Sequence, residues 1–310
     1  MRFAIEAWAT DYGSPMEMDD RFGADTKVDV NVELPAARWK PLTPGTSTEV
    51  PSSVLFTDGV RRIDARVWIE TPTGSRPGVC ASYAAGAIRC DGSAQVVAAT
   101  VERGLFSAAT EAASITSRHA HYGVRRAKGD SSEELWLAIQ DRMGELESAI
   151  ADDHNTDLTL VDGPLRGNLG GPQRVGYVKT HHVNYLPEEL GMVVSQLDAG
   201  QRTPVFLTLG RWGRFCWYVR LPGAKGHQWA GVVRCETSAD APIEEAIKLA
   251  STVTKTLPRF ASASHKDPRA PQNLYPIAGL ERELRRRLGD PQLLYRDLRV
   301  AASLEVQSQT

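Results

Sequence analysis

The sequence predicts an α/β fold in which a mixed sheet is flanked by helices. Three observations lead to this prediction: a strand-rich stretch begins at residue 54, an amphipathic helix begins near residue 131, and further strands and helices follow residue 157. Strands are recognised by short apolar runs or strict alternation, and helices by apolar residues three or four positions apart. Strands interspersed with helices along one chain are typical of a single α/β domain.

The composition is that of an ordinary globular protein. The 310 residues are 42% hydrophobic and 24% charged, which excludes disordered and fibrous chains. With 36 Lys and Arg against 38 Asp and Glu, the net charge of −2 does not indicate a nucleic-acid partner. A DNA-binding role would therefore have to depend on the local arrangement of charge.

The cysteines and the apolar runs bear on the cellular compartment. Cys80, Cys90, Cys216 and Cys235 form no CxxC pair, so we expect reduced, mostly buried thiols and a cytoplasmic protein. The first residues lack the apolar core of a secretory signal. No stretch approaches the roughly 18 uncharged apolar residues that would predict a membrane span.

The first 50 residues differ from the rest of the chain. Residues 1–50 are rich in Pro, Gly, Asp and Thr, and Val28 to Leu34 alternate between apolar and polar side chains. The alternation predicts a strand with one exposed face. We interpret 1–50 as an N-terminal β arm, either an edge strand or a segment that docks a partner. Residues 51–300 are then the main domain, and residues 301–310 a flexible tail.

The main domain is predicted to begin with a meander of strands joined by short connections. Ser131 is a candidate helix N-cap, with Glu133 and Glu134 in the first turn, where the helix dipole favours acidic side chains. An apolar stripe continues this helix to about residue 152. The predicted strands span 54–60, 64–70, 78–88, 95–101, 157–165, 174–181, 204–209, 215–221 and 229–236, and the later helices span 243–257 and 277–288.

Two of the predicted strands end in Asp-Gly, at Asp58 and at Asp162. A strand end holds a carboxylate rigidly, and the glycine leaves room for a ligand or a close backbone. If the two strands are neighbours, about 4.8 Å apart, both carboxylates can bind one divalent cation. Asp-Gly is also a common turn signal, so turn formation remains an alternative explanation at both places.

The order of meander, first Asp, acidic helix, strand and second Asp is the layout of ribonuclease H-like nucleases. Four short motifs make the resemblance more specific. The segments 56–59, 162–165, 175–181 and 267–274 are similar to motifs of the NurA family of nucleases. The similarity extends over roughly residues 50–290.

The resemblance implies a ribonuclease H-like mixed sheet and Mn²⁺- or Mg²⁺-dependent cleavage of DNA. NurA nucleases act with a HerA-type hexameric ATPase in DNA end processing or phage defence, and they are typically homodimers. Matched position by position, Asp58 and Asp162 correspond to metal ligands. Glu145 lies nearest the position of the family's helix Glu and is the predicted third ligand. The ribonuclease H fold favours Glu134 geometrically, and Glu133 and Glu147 are weaker candidates.

The later motifs add further candidate residues. Lys179 matches a lysine often found on the strand after Asp-Gly-Pro-Leu, where a cation would hold the scissile phosphate. A surface lysine is the alternative. The C-terminal segment departs from the family, because Ala270 stands where Tyr is usual and the expected helix His is missing. Asp267 and Asn273 are the predicted replacements, and His265 is a further candidate.

Basic residues near the predicted site are candidate DNA contacts, because cations there would neutralise phosphates. The predicted contacts are Arg61, Arg166, Arg174 and Lys179. The arginines of 282–287 alternate with Glu and are better explained as a charged surface helix. His181 and His182 are adjacent on a strand and point to opposite faces, so at most one reaches the site.

These observations favour a metal-dependent DNA nuclease of the NurA type. The altered C-terminal motif leaves open a second hypothesis, a catalytically weak or inactive DNA-binding or adaptor subunit of the same ATPase complex. A ribonuclease H-like phosphoryl transferase that cleaves RNA is a third.

Overall fold

The computed structural model describes residues 27–165, 173–181, 185–210 and 212–308, with side chains as far as residue 304. The chain divides into two compact units. The first unit contains the residues up to 56, 88–95 and 154–278, and the second contains 57–87, 96–153 and the residues from 279 onward. The sequence predicts one main domain over 51–300, and no pattern in it indicates this division.

The described residues form eleven strands and five α-helices. The strands are β1 Lys27–Asp29, β2 Val54–Thr71, β3 Gly74–Cys90, β4 Ala94–Ser107, β5 Ile115–Thr116, β6 His121–Arg126, β7 Leu158–Asp162, β8 Arg174–Val178, β9 Phe206–Leu209, β10 Gly213–Arg220 and β11 Val232–Ser238. The helices are α1 Ser132–Asp152, α2 Glu188–Ser195, α3 Ile243–Thr256, α4 Tyr275–Arg287 and α5 Pro291–Ser308. None of the helices in the described ranges is long and apolar enough to cross a membrane. The predicted α/β class, a mixed sheet with flanking helices, is confirmed.

The first unit is built on a mixed sheet, with strands in the order β1, β9, β10, β11, β8, β7. Neighbouring strands are antiparallel except β7 and β8, which are parallel, with Asp162 opposite Tyr177. Every residue of β8 and β11 is buried, so these central strands are covered on both faces. Because β7 and β8 are parallel, their carboxyl ends lie at the same edge of the sheet.

Residues 27–50 pack into the first unit. The strand predicted for 28–34 is shorter in the structure, since β1 ends at Asp29. The carboxylate of Asp29 accepts the N–H of Asn31 at 2.9 Å, and the Asn31 side chain accepts the N–H of Ala36 at 2.9 Å, which are turn contacts that end a strand. β1 pairs with β9 at the edge of the sheet, so the edge-strand interpretation of the arm holds for these residues.

The second unit has strands in the order β2, β3, β4, β6, β5, so the first three neighbours follow the chain as a meander requires. Alternate residues of β3 face different helices. Val79, Ala81 and Tyr83 pack with the buried face of α1, whereas Cys80 packs with Leu294 of α5. This alternation is the period of two expected of a strand buried on both faces.

β2 corrects the first Asp-Gly prediction. The strands predicted at 54–60 and 64–70 are one strand of 18 residues, and Asp58 lies inside it rather than at its end. Gly59 does not have the positive φ of a turn glycine; instead it makes room for α1, because a Cβ there would lie 2.2 Å from Glu147 Oε1. The turn explanation and the strand-end explanation are therefore both wrong at Asp58.

Two helices were not expected from the sequence. α2 follows Pro187, and α5 occupies 291–308, including most of the segment predicted as a tail. The start of α5 carries recognisable signals, since Asp290 accepts the N–H groups of Gln292 and Leu293 and Pro291 opens the helix. The pattern of Asp290-Pro291 followed by apolar residues four apart is a helix-start signal that predicts α5.

Candidate active site

Asp162 ends β7 and begins a sharp turn in the first unit. Gly163 has a φ of 94°, in the left-handed region that glycine adopts without strain. Its N–H donates to the carbonyl of Tyr177 at 2.9 Å, which ties the turn to β8. At this second Asp-Gly, the predicted strand end is confirmed.

Lys179 follows β8 directly and brings its ammonium group to Asp162. Its Nζ donates to Asp162 Oδ2 at 2.7 Å and to Asn273 Oδ1 at 3.1 Å. The side chains of Lys179 and Asp162 are 2% and 11% exposed. Removing two charges from water is expensive, so a buried pair is weak evidence for stability. Buried charged groups with specific partners occur often at functional sites.

The C-terminal segment reaches the same place. Asn273 Nδ2 donates to Asp267 Oδ2 at 2.7 Å. Gln272 Nε2 donates to the carbonyl of Lys179 at 3.1 Å, and the Tyr177 hydroxyl donates to the carbonyl of Gln272 at 2.7 Å. Four residues predicted from three separate motifs are thus brought together, and they are called here the Lys179 network: Asp162, Lys179, Asn273 and Asp267.

Asp267 is held as a carboxylate. Burial alone would raise the pKa of Asp267, but hydrogen bonds from Asn273 and Arg269, with the charge of Arg269, bring that pKa below its usual value. An ionised Asp267 accepts hydrogen bonds only, so it turns the amide nitrogen of Asn273 toward itself. The Asn273 oxygen is thereby directed at Lys179.

Asp58 and the helix carboxylates lie in the second unit. The buried Asp58 side chain accepts the N–H of Gly59 at 2.7 Å. The buried Glu147 packs against Gly59, the residue next to Asp58. Neighbouring strand residues point to opposite faces, so this contact does not by itself bring the Asp58 and Glu147 carboxylates together.

The other helix candidates are occupied elsewhere. Glu134 forms a capping box with Ser131, whose Oγ accepts the Glu134 N–H at 3.1 Å. The Glu145 side chain is 63% exposed and pairs with Arg142. Glu147 is the carboxylate on the face of α1 that packs on β2, because it continues the apolar stripe through Met143. The catalytic roles of Glu134 and Glu145 stay predictions.

The residues predicted to contact DNA lie in different surroundings in the structure. The Arg61 guanidinium lies 4.2 Å from the centre of the Trp136 ring. Arg174 and Lys179 are both buried, but Arg174 begins β8 and Lys179 follows its end, so only Lys179 lies beside Asp162. Arg166 and His182 lie outside the described residues. His181 Nε2 lies 2.9 Å from the carbonyl oxygen of Val232.

The carboxylates of the described residues bear on the predicted Mn²⁺ or Mg²⁺ site. Within the described ranges, no group of three or more His, Cys, Asp and Glu side chains could hold a metal ion. Asp162 is paired with Lys179, and Glu145 is paired with Arg142. The described residues therefore do not fit a three-ligand metal site.

Two buried charged residues of β11 were missed by sequence reasoning. Glu236 Oε1 accepts the N–H of Leu165 at 2.8 Å, and its Oε2 lies 3.2 Å from Nη2 of Arg234. The side chains of Glu236 and Arg234 are 0% and 2% exposed. An Arg and a Glu two positions apart in a strand that begins with two valines were the available signal, since both would face the same side.

Comparisons with known proteins include a structural likeness to a nuclease. No protein-family model and no curated protein matches this chain. The crystal structure of the NurA nuclease from Sulfolobus solfataricus matches 81% of this chain and 84% of that chain, at 10% identity and a TM-score of 0.41. A likeness of this degree establishes neither the family nor the activity of the chain.

Proposed function

We propose that the protein is a nuclease that hydrolyses phosphodiester bonds in DNA. The Lys179 network is the observation that carries this proposal, since it joins three separate chain segments at the carboxyl ends of two parallel strands. In α/β sheets, ligands bind outside the carboxyl ends of the strands. Each of the three segments also contains a motif by which the sequence resembles NurA nucleases.

Lys179 is suited to binding a phosphodiester. A lysine ammonium is a compact positive charge, and that of Lys179 donates to Asp162 and Asn273. A phosphate that enters the site would accept a hydrogen bond from Lys179. The positive charge would then stabilise the negative charge that develops on the phosphate during hydrolysis. Asp162, beside the same phosphate, would orient the attacking water.

Mn²⁺ or Mg²⁺ remains part of the proposal as the cofactor. Mg²⁺ is often held by one or two carboxylates together with water and substrate phosphates, which needs fewer protein ligands than the predicted set of three. Asp58 or Asp162 is the candidate ligand. When bound, the metal would supply positive charge to the phosphate.

The proposed partners rest on the sequence resemblance. They are a HerA-type hexameric ATPase and a second copy of this chain, with DNA end processing or phage defence as the setting. A cytoplasmic location belongs to the same proposal.

Two observations favour a second candidate function, a DNA-binding or adaptor subunit with little or no catalytic activity. The carboxylate of Asp162 is already neutralised by Lys179, and no three-ligand metal group exists in the described part of the chain. Such a protein would bind DNA and the ATPase without cutting.

A cleavage assay tests the proposal. End-labelled linear DNA is incubated with the purified protein in Mn²⁺, in Mg²⁺ or in chelator, with and without a HerA-type ATPase. We expect cleavage by the wild type, none by Asp162→Asn or Asp58→Asn, and wild-type cleavage by the exposed Asp91→Asn control. Cleavage by Asp162→Asn at the wild-type rate would overturn the proposal. DNA binding without cleavage in every condition would favour the adaptor, and cleavage of RNA alone the third hypothesis.

A further inference from the structure

We infer that Glu236 is a positioning residue that holds the Asp162–Leu165 turn in place for the proposed nuclease reaction. Its Oε1 accepts the N–H of Leu165 at 2.8 Å, at the end of this turn. The opposite end of the turn is fixed by the bond from the Gly163 N–H to the carbonyl of Tyr177. Asp162 is thus carried on a turn that is anchored on both sides.

Gly176 of β8 is what allows the three elements to come so close. A Cβ at this position would lie 2.9 Å from Glu236 Cγ, 3.0 Å from the carbonyl oxygen of Gly163 and 3.0 Å from the nitrogen of Leu165. Cβ atoms do not approach other atoms at such distances without displacement. The glycine therefore permits Glu236 to pass over β8 and reach the turn that follows β7.

Arg234 forms a buried ion pair with the carboxylate of Glu236. The guanidinium lies 3.2 Å from Glu236 Oε2 and 4.6 Å from the centre of the Tyr185 ring. Burial alone would lower the pKa of Arg234, but the Glu236 carboxylate raises it above its usual value. One carboxylate oxygen of Glu236 thus lies beside Arg234 while the other accepts the N–H of Leu165. The ion pair therefore holds the Glu236 side chain toward the turn.

The stability of the fold does not by itself require the buried Arg234–Glu236 pair. A buried ion pair can often be replaced by apolar residues without loss of stability, whereas removing one partner is strongly destabilising. The acceptor is directed at the turn that carries Asp162, and a small displacement of a reacting group can lower a rate by about 100-fold. Accurate placement of Asp162 against Lys179 is the function that we assign to Glu236.

Two double variants separate positioning from stability. Arg234→Met/Glu236→Gln removes both charges but keeps an oxygen that can accept from Leu165. Arg234→Met/Glu236→Met also removes both charges and has no such acceptor. We expect the Gln variant to retain most of the wild-type kcat on linear DNA. The Met variant should lose about 10- to 100-fold in kcat with KM little changed. Equal kcat values in the two folded variants would overturn the inference.

Hydrogen exchange supplies a readout that does not depend on cleavage. The amide of Leu165 should exchange faster in the Met variant than in the Gln variant. If the wild type does not cleave DNA but this difference is seen, the nuclease proposal fails and the Glu236 anchor stands. Equal exchange would overturn the anchor itself.

A second pair of variants covers the case in which the Met variant does not fold. Gly176→Ala should displace the turn and lower kcat with KM little changed. Gly191→Ala, where an added Cβ meets nothing within 4 Å, should keep the wild-type kcat. A folded Gly176→Ala variant with wild-type kcat would contradict the inference.

Discussion

The contacts of Lys179 allow the effect of Lys179→Met on the free energy of unfolding to be predicted. The substitution keeps the volume of the side chain but removes the charge that lies 2.7 Å from Asp162 Oδ2. Breaking a buried ion pair by removing one partner costs about 3–5 kcal/mol. Asp162 keeps 11% exposure, which places the cost at the lower end. The Asn273 oxygen also loses its donor at 3.1 Å, a loss of about 1 kcal/mol. We therefore expect a decrease of about 4 kcal/mol in the free energy of unfolding.

Urea unfolding at pH 7, followed by tryptophan fluorescence, measures this decrease. The matched control is Lys225→Met, because Lys225 is exposed and its loss should leave the midpoint unchanged. The double variant Lys179→Met/Asp162→Asn removes both charges and should recover part of the loss. A decrease below about 1 kcal/mol for Lys179→Met would show that the pair is not desolvated as the structure has it. The same conclusion would follow if Lys179→Met/Asp162→Asn were no more stable than Lys179→Met.

Three further predictions concern packing, pH and the thiols. Gly59→Ala should lower the free energy of unfolding by about 1–3 kcal/mol, because its Cβ would press on Glu147. Gly191→Ala should not, and an equal urea midpoint for the two would contradict the close approach of α1. The lowered pKa of Asp267 adds stability that is present above its ordinary pKa and lost as pH falls through the lowered value. Asp267→Asn should therefore flatten the acid limb of a urea midpoint series below about pH 4, and an unchanged limb would refute this. Burial raises the pKa of Cys90 to about 11 and also raises the pKa values of the other three free thiols. A thiol reagent at pH 8 should label the native protein slowly and the unfolded protein fully, and fast native labelling would be the contrary result.

The two Asp-Gly dipeptides show which part of the strand prediction the sequence could support. At Asp162 the dipeptide ends a strand, and the sequence prediction was correct. At Asp58 the same dipeptide lies inside β2, because Gly59 serves the close approach of α1. Local propensity cannot distinguish these two uses of glycine, since only the second depends on Met143 and Glu147, which are more than 80 residues away in the chain.

The buried charged residues of the candidate site could be predicted from the sequence only in part. Lys179, Asn273 and Asp267 were predicted as separate candidates, and their joining depends on the parallel pairing of β7 and β8 and on the path of the 267–273 segment. Glu236 was missed because a carboxylate in a strand is normally assigned to an exposed face. Its burial depends on Gly176 and Arg234, which no short motif connects.

The central claim is that the Lys179 network binds and cleaves a DNA phosphodiester. The single-turnover rate of DNA cleavage by Lys179→Met tests this claim most directly. Single-turnover cleavage of linear DNA is measured for the wild type, Lys179→Met and Lys225→Met, at a temperature where circular dichroism shows all three folded. We predict equal rates for the wild type and Lys225→Met, and a rate about 100-fold lower or more for Lys179→Met. A folded Lys179→Met protein that cleaves DNA at the wild-type rate would contradict the claim.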